Sequence, residues 1–294
     1  MVKKNWRNKV WSGIRDQGKY TVISNNKIFN IAYAIEFEET SKYAIVEYNQ
    51  ISNFSGDGIR IAGADFCTIQ YNKIINSVEL DENPIDGNHE DGIQAWVGKH
   101  NDTEVRGVVI KGNYICNYDT SYTKFKGILQ GIGFFDGPYF DCVIEINVVI
   151  VEHFHGIALF GANNCRIVNN TVLPYQGTFS YIAGPPWIQI LSSKQGERSS
   201  DNIISNNLTT DLYTEKGSAI VEHNLVNPVA FKFVNDYANF DFTPKPNFIY
   251  GGYSIINKGT HVNAPTEDIN RNKRPVENKF DIGAYEYIPM EHRK

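Results

Sequence analysis

Two short patterns of apolar and polar positions alternate along most of the chain. The first is an apolar residue, two residues of any kind, an asparagine, one further residue and a second apolar residue. It occurs as Ile23-x-x-Asn26-x-Ile28, Val46-x-x-Asn49-x-Ile51, Ile69-x-x-Asn72-x-Ile74, Ile110-x-x-Asn113-x-Ile115, Ile144-x-x-Asn147-x-Val149, Ile167-x-x-Asn170-x-Val172, Ile204-x-x-Asn207 and Val221-x-x-Asn224-x-Val226. The second sits between asparagines: Ala34-Ile35-Glu36-Phe37, Gly58-Ile59-Arg60-Ile61, Gly92-Ile93-Gln94-Ala95, Gly131-Ile132-Gly133-Phe134, Gly156-Ile157-Ala158-Leu159 and Trp187-Ile188-Gln189-Ile190. Alternation at period two marks strands with one buried face, and no long segment carries a helical apolar stripe. Three steps between asparagines are 23 residues, and steps of 41, 34 and 37 are the same unit with insertions. A unit of about 23 residues with short strands and an asparagine turn predicts one coil of a parallel β-solenoid, whose neighbours bury each other's apolar faces.

Stacking gives the asparagines and cysteines a reason. Asparagine tolerates the left-handed backbone region, and stacked copies can hydrogen-bond along the axis as a ladder. Cys67, Cys142 and Cys165 each stand two residues before the first apolar residue of the pattern, which predicts a small inward-facing column and no redox device. The four cysteines include no CxxC pair, so neither a disulfide framework nor a zinc site is expected.

Length and charge narrow the picture further. The 294 residues, 41% hydrophobic, suffice for a sizeable core. A net charge of -5 argues against a general nucleic-acid binder. No stretch reaches the roughly 18 apolar residues of a membrane span, and the first residues carry basic side chains without an apolar signal core.

The repeat from about residue 20 to 229 resembles the right-handed parallel β-helix proteins of the pectin-lyase-like superfamily. The resemblance implies an all-β solenoid of about eight coils over residues 1–229 and a tail over 230–294. The tail's last segment, "DINRNKRPVENKFDIGAYEY", resembles the closing tail of secreted or surface bacterial members and is expected to cover the open end of the solenoid. It also implies an extracellular, cell-surface or virion-surface setting, as a monomer or a trimer.

In that superfamily a substrate groove runs along one strand column, so residues sharing a row there are the candidates. Coils stack about 4.8 Å apart, and the residue after each inward isoleucine points out. The outward row reads Glu36, Arg60, Gln94, Gly133, Ala158 and Gln189. The strand-entry row reads Tyr33, Asp57, Asp91, Gln130, His155 and Pro186, and a third row reads Ala62, Trp96, Phe135, Phe160 and Leu191. Acids and a histidine beside aromatics are the composition of a carbohydrate groove, where ring faces stack on sugars and polar groups fix hydroxyls. Gly58, Gly92, Gly131 and Gly156 are expected to leave open floor. The insertions at 75–90, 116–129 and 173–185 enter before this column and are expected to flank it, bringing His89, Tyr122, Lys124, Lys126, Tyr175 and Tyr181. Each element has a plainer counterpart. Asp57 and Asp91 before glycine suit turns, His155 suits a satisfied position between coils, and the aromatics suit packing under a loop. Their coincidence on adjacent coils carries the functional reading.

Two reactions dominate in the superfamily. A lyase must neutralise a uronate carboxylate and supply a base and an acid. Here His89 or His155 is the base, Arg60, Gln94 and Gln130 hold the carboxylate, and Lys126 or a tyrosine is the acid. A hydrolase needs two carboxyl groups flanking the bond; Asp91 and Asp136, with Asp57, are the pair. "GDGIRI", "EDGIQ" and "FHGIAL" resemble polygalacturonase-type motifs, but the extra coil "QGIGFF" separates the acids from His155, Glu90 stands where that family has aspartate, and its basic motif is missing. The lyase is placed ahead of the hydrolase. The expected partner is a polysaccharide, acidic before neutral, with no nucleic acid and no membrane. Calcium is plausible through Asp57, Asp91 or Glu36. The competing class is a non-catalytic carbohydrate-binding, tailspike or adhesin module.

Overall fold

The computed structural model describes residues 11–78, 90–98, 104–117, 127–175 and 184–289. Three parallel sheets of eight strands each are wound from one chain that visits them in turn. The first sheet holds Ser12–Asp16, Tyr33–Phe37, Ile59–Ala62, Glu90–Trp96, Leu129–Asp136, His155–Phe160, Trp187–Leu191 and Asp211–Thr214. The second runs from Val22–Ser24 to Ala219–Glu222, and the third from Lys27–Ile31 to Leu225–Val226. In the middle coils a three-stranded sheet of Val105–Arg106, Tyr139–Phe140 and Ala162–Asn163 stands between the first and the second. The architecture is a right-handed parallel β-helix of eight coils.

The register follows the repeat. Ile35, Ile59, Ile93, Ile132, Ile157 and Ile188 pair in sequence along the first sheet, and each is fully buried. Burying one such side chain contributes about 2 kcal/mol, and a one-residue slip would turn every isoleucine of a strand outward. Gly58, Gly92, Gly131 and Gly156 do not form an open floor. They stand at the corner between the third and first sheets, where a Cβ on Gly131 would come within 2.1 Å of the Gly156 carbonyl and 2.4 Å of Val149. Close approach of successive coils, and not access for a ligand, requires glycine there.

The asparagine ladder is continuous. The Nδ2 groups of Asn26, Asn49, Asn72, Asn113, Asn147, Asn170 and Asn207 each donate to Oδ1 of the next ladder asparagine at 2.9–3.0 Å. The same Oδ1 also accepts the backbone N–H of the preceding ladder asparagine, as Asn147 does from Asn113 at 2.9 Å. The left-handed position is one residue earlier than expected, at Asn25, Tyr48, Tyr71, Gly112, Ile146, Asn169, Asn206 and His223. The ladder asparagine keeps its side chain inside, so the turn's unfavourable φ falls on its neighbour. Cys67, Cys142 and Cys165 are free and buried among the core residues, as the small inward column predicts.

Among the described residues, the tail leaves the end of the second and third columns exposed. Val221 and Val226, the last inward residues of the second and third columns, are each 44% exposed. Instead, Phe233, Val234, Phe242, Ile255, Ile282 and Ala284 form one apolar cluster with Cys116, Val148, Ile150, Leu173 and Leu208, which point outward from the third sheet. Gly283 N–H donates to the Asn206 carbonyl at 2.7 Å and Ala284 N–H to Thr171 Oγ1 at 2.9 Å. The physical reason is the apolar outer face of the third sheet in its later coils: the row of Val148 and Leu208 holds Lys27, Gln50 and Lys73 in the earlier coils, and the row of Cys116, Ile150 and Leu173 holds Phe29, Ser52 and Ile75. Under the tail, buried Arg274 donates to Glu286 at 2.7 Å and to the Asp281 carbonyl at 2.8 Å.

Asn147→Ala removes an acceptor shared by two donors inside the ladder and is expected to cost about 2–4 kcal/mol in urea unfolding. Asn26→Ala, at the end of the ladder, is expected to cost under about 1 kcal/mol. Burial and the neighbouring Glu286 push the Asp281 carboxyl up to about 7. A carboxyl raised on folding stabilises the protonated folded form, so tail docking should be strongest below the ordinary carboxylate range and weaken as pH rises through about 7. Hydrogen exchange at Ile282 and Ala284, corrected for intrinsic rates, should show faster opening at alkaline than at mildly acidic pH, and Asp281→Asn should flatten the difference.

Candidate active site

The candidate residues are brought together by the first sheet. Arg60, Gln94 and Gly133 pair in register on its outward row, followed by Ala158 and Gln189. At strand entry Asp91 pairs with Gln130, and Gln130 Oε1 lies 2.9 Å from His155 Nδ1. Asp57 joins this row from the other side, its Oδ1 accepting the Asp91 backbone N–H at 3.2 Å. Arg60, Asp57, Asp91, Gln130 and His155 therefore share one stripe over four coils. His89 and Lys126, like Tyr122, Lys124, Tyr181 and much of the three insertions, lie outside the described residues.

Arg60 is the most constrained of these side chains. Its Nε lies 2.8 Å from Asp57 Oδ2 and its Nη1 3.1 Å from Glu36 Oε1. The guanidinium is sandwiched between rings, 3.8 Å from the centroid of Tyr33 and 4.8 Å from that of Trp96. Ser12 Oγ donates to the second oxygen of Glu36. A planar, delocalised cation can satisfy two carboxylates and two ring faces at once, and its side chain keeps 22% exposure. Trp96 serves first as one plate of this sandwich.

The acids are placed differently from a hydrolytic pair. Asp91 is fully buried and Asp57 is 3% exposed. Asp136 pairs in register with Trp96 at the far end of the strand from Asp91, so about five residues at ~3.3 Å each put the two Cα atoms on the order of 16 Å apart. Asp136 bonds Lys194 at 2.9 Å. The pair expected to flank a glycosidic bond is thus not assembled, because Asp91 pairs with Gln130 and Asp136 lies six residues further along that strand. A bulge in Leu129–Asp136 shifts the register after Ala95 and sets Asp136, not Phe135, opposite Trp96. The same bulge breaks the expected aromatic row. Phe135 turns back over Gly133, where a Cβ would come within 2.2 Å of its ring and 3.0 Å of Asp91 Oδ1, and is 6% exposed. Phe160 packs edge-on against Phe135 at 5.5 Å.

His155 is half-buried at the centre of an aromatic cluster, its ring centroid 4.8 Å from Phe135 and 4.2 Å from Phe154. Phe154 contacts Trp187 at 4.7 Å, and Trp187 contacts Tyr213 at 4.8 Å. A second register shift pairs His155 with Trp187 where Pro186 was expected. His153 Nδ1 accepts the His155 backbone N–H at 3.0 Å. Sequence reasoning missed His153, Phe154, Trp187 and Tyr213 as neighbours of His155; the run "HFH" and the Trp before Ile188 were the available signals. The contact between His155 Nδ1 and Gln130 Oε1, an atom that only accepts, matches the tautomer that carries its proton on Nδ1.

Among the described residues no three His, Cys, Asp or Glu side chains are grouped to hold a metal ion. Of the residues expected as calcium ligands, Glu36 and Asp57 face Arg60, so a cation bound by these two would have to displace an ion pair, and Asp91 is fully buried on the neighbouring strand.

No protein-family model matches the chain, and no curated protein matches it. Solved structures do. Pectate lyase Pel9A aligns over 94% of this chain and 68% of its own, with TM-score 0.51 and 14% identity. An alginate lyase from Paenibacillus sp. str. FPU-7 aligns over 71% of this chain and 74% of its own (TM-score 0.42, 14% identity), and the Dettilon tailspike protein over 72% and 51% (TM-score 0.36, 14% identity). The protein is a right-handed parallel β-helix resembling pectate lyase in fold.

Arg60→Lys keeps the charge but loses the planar fork and the ring contacts. It is expected to lower stability by about 1–3 kcal/mol, read as a urea midpoint shift at unchanged slope.

Proposed function

We propose that the protein is a polysaccharide lyase that cleaves a uronate-containing chain by β-elimination along the outer face of the first sheet. The observation that carries this reading is the half-buried imidazole of His155, held at Nδ1 by Gln130 and surrounded by aromatic rings, while Asp57 and Asp91 are buried and Asp57 is tied to Arg60.

In this scheme His155 Nε2 takes the proton from the carbon beside the uronate carboxylate. The electrons of that C–H bond form the double bond, the C–O bond to the departing sugar breaks, and an acid protonates the leaving oxygen. Lys126 or a tyrosine supplies that proton. Gln94 and Gln189, half-buried on the outward row, donate to the substrate carboxylate and stabilise the negative charge that builds there. Arg60 adds positive charge at the end of the row, reduced by its two carboxylate partners. Phe160 and Trp187 offer ring surface for sugar faces. We place the protein outside the cell or on a cell or virion surface, where a polymeric substrate is met.

A panel of acidic and neutral polysaccharides, with and without calcium, tests the reading by ultraviolet absorbance of unsaturated uronate and by new reducing ends. Absorbance together with new ends supports it. New ends alone mean a hydrolase, and binding without either means a carbohydrate-binding module. His155→Ala should abolish turnover with folding intact, while Asp136→Asn should change it less than about threefold, under 1 kcal/mol. Gln130→Glu should move the acidic limb of the pH–rate profile to higher pH, since a carboxylate beside an imidazole favours its charged form.

A further inference from the structure

A polar and aromatic cavity lies away from the first sheet, where the tail crosses the corner between the second and third sheets. Its volume is about 320 Å³, within the range of small-ligand pockets. Tyr48 and Tyr71, the left-handed residues before two ladder asparagines, stack at 5.6 Å with planes 9° apart. The next coil has Gly112 at the same position, so no third ring continues the stack, and a Cβ there would come within 2.5 Å of the Tyr71 ring. The Tyr71 ring lies against Gly112, and the cavity opens beside this end of the stack, lined by Tyr48, Tyr71, Gly112 and Arg271. Tyr114 and Tyr285 contribute two further half-buried rings to its lining.

Two cations stand at this cavity. Arg271 sits 5.4 Å from the Tyr71 centroid and 6.0 Å from that of Tyr48, and Lys73 lies 5.8 Å from that of Tyr114. Arg271 has φ 65°, a left-handed conformation uncommon outside glycine, and its N–H donates to the Asp268 carbonyl at 2.9 Å. The turn therefore holds the guanidinium over the tyrosines at some cost in backbone energy. Glu267 stands beside Tyr71: Lys111 pairs with Glu267 at 2.9 Å and Tyr71 donates to it at 2.7 Å, which holds its carboxyl below the ordinary range. Tyr71 is thereby fixed in place.

We infer that this cavity is a binding site for an acidic saccharide, taking one uronate unit with its ring against Tyr71 and Tyr114 and its carboxylate toward Arg271 and Lys73. Flat rings match the C–H face of a pyranose and the two cations match its carboxylate, a combination that suits neither a neutral sugar nor a bare anion. The site would hold a polyuronate chain on the flank opposite the groove and raise its local concentration there. Its residues are separate from those assigned to the reaction.

The test uses the full chain carrying His155→Ala, so that no probe is consumed, titrated calorimetrically with trigalacturonate, trimannuronate, a carboxyl-reduced trisaccharide and inorganic phosphate. At least one uronate trimer should bind, Arg271→Glu should weaken that binding at least tenfold, and Arg271→Lys should restore part of it. The reduced trisaccharide and phosphate should bind at least tenfold more weakly. Lys73→Glu should act in the same direction as Arg271→Glu, and neither should shift the urea midpoint by more than a structural control such as Lys27→Glu. Uronate affinity unchanged in both variants, equal binding of phosphate, or no uronate binding at all would overturn the inference. In the wild-type background Arg271→Glu should leave turnover of a short soluble substrate unchanged. A chain that cleaves no uronate polymer yet binds the trimer through Arg271 would sink the lyase reading and leave this site standing.

Discussion

Everything in this protein depends on successive coils being superposed without slip. The buried amide chain from Asn26 to Asn224 enforces this, because each Oδ1 accepts from the preceding side chain and the preceding backbone at once. A coil displaced by one residue would strand both donors in the core, at about 1–3 kcal/mol per group. The isoleucine columns add bulk stabilisation, but apolar contact alone is not directional. The ladder supplies the direction, and with it the alignment that sets Arg60 beside Gln94 and Gln130 beside His155.

Against that regular background the departures fall at the site. The two register shifts in the first sheet occur in Leu129–Asp136 and at His155, on neighbouring coils. Bulges re-aim side chains and commonly stand near active sites. Here one turns Phe135 over Gly133 and sets Asp136 opposite Trp96, and the other brings Trp187 beside His155. Arg60 shows the opposite behaviour: two carboxylates and two rings hold its guanidinium, which pairs both Asp57 and Glu36. The site thus divides into a rigid charged anchor and a half-open imidazole among aromatics.

The tail takes its place for the same reason that the core forms. From Cys116 onward the third sheet is apolar on both faces, so its outer face needs a cover, and Phe233, Phe242 and Ile282 provide one. Covering the flank leaves Val221 and Val226 exposed at the end of the columns. It also creates a seam where tail and coils meet, lined by the tyrosines before the ladder and by Arg271.

The sequence alone determined the coil, its period, the inward isoleucines, the cysteine column and the ladder, because these are one-dimensional: a residue's role repeats in every coil and period two settles which face it takes. It also placed Arg60, Asp91, Gln130 and His155 on one stripe, since a fixed stacking distance converts sequence rows into spatial rows. Only the tertiary structure decided how deep each residue lies and which neighbour it holds. Burial of Asp91 and the clamp on Arg60 depend on side chains from three coils acting together. The bulge that sets Asp136 in place of Phe135 opposite Trp96 is a single extra residue with no signature in the apolar pattern. The side of the solenoid the tail covers was set by competition between two apolar surfaces, the open end and the outer third sheet, and such a competition is settled by shape and area that no linear pattern records.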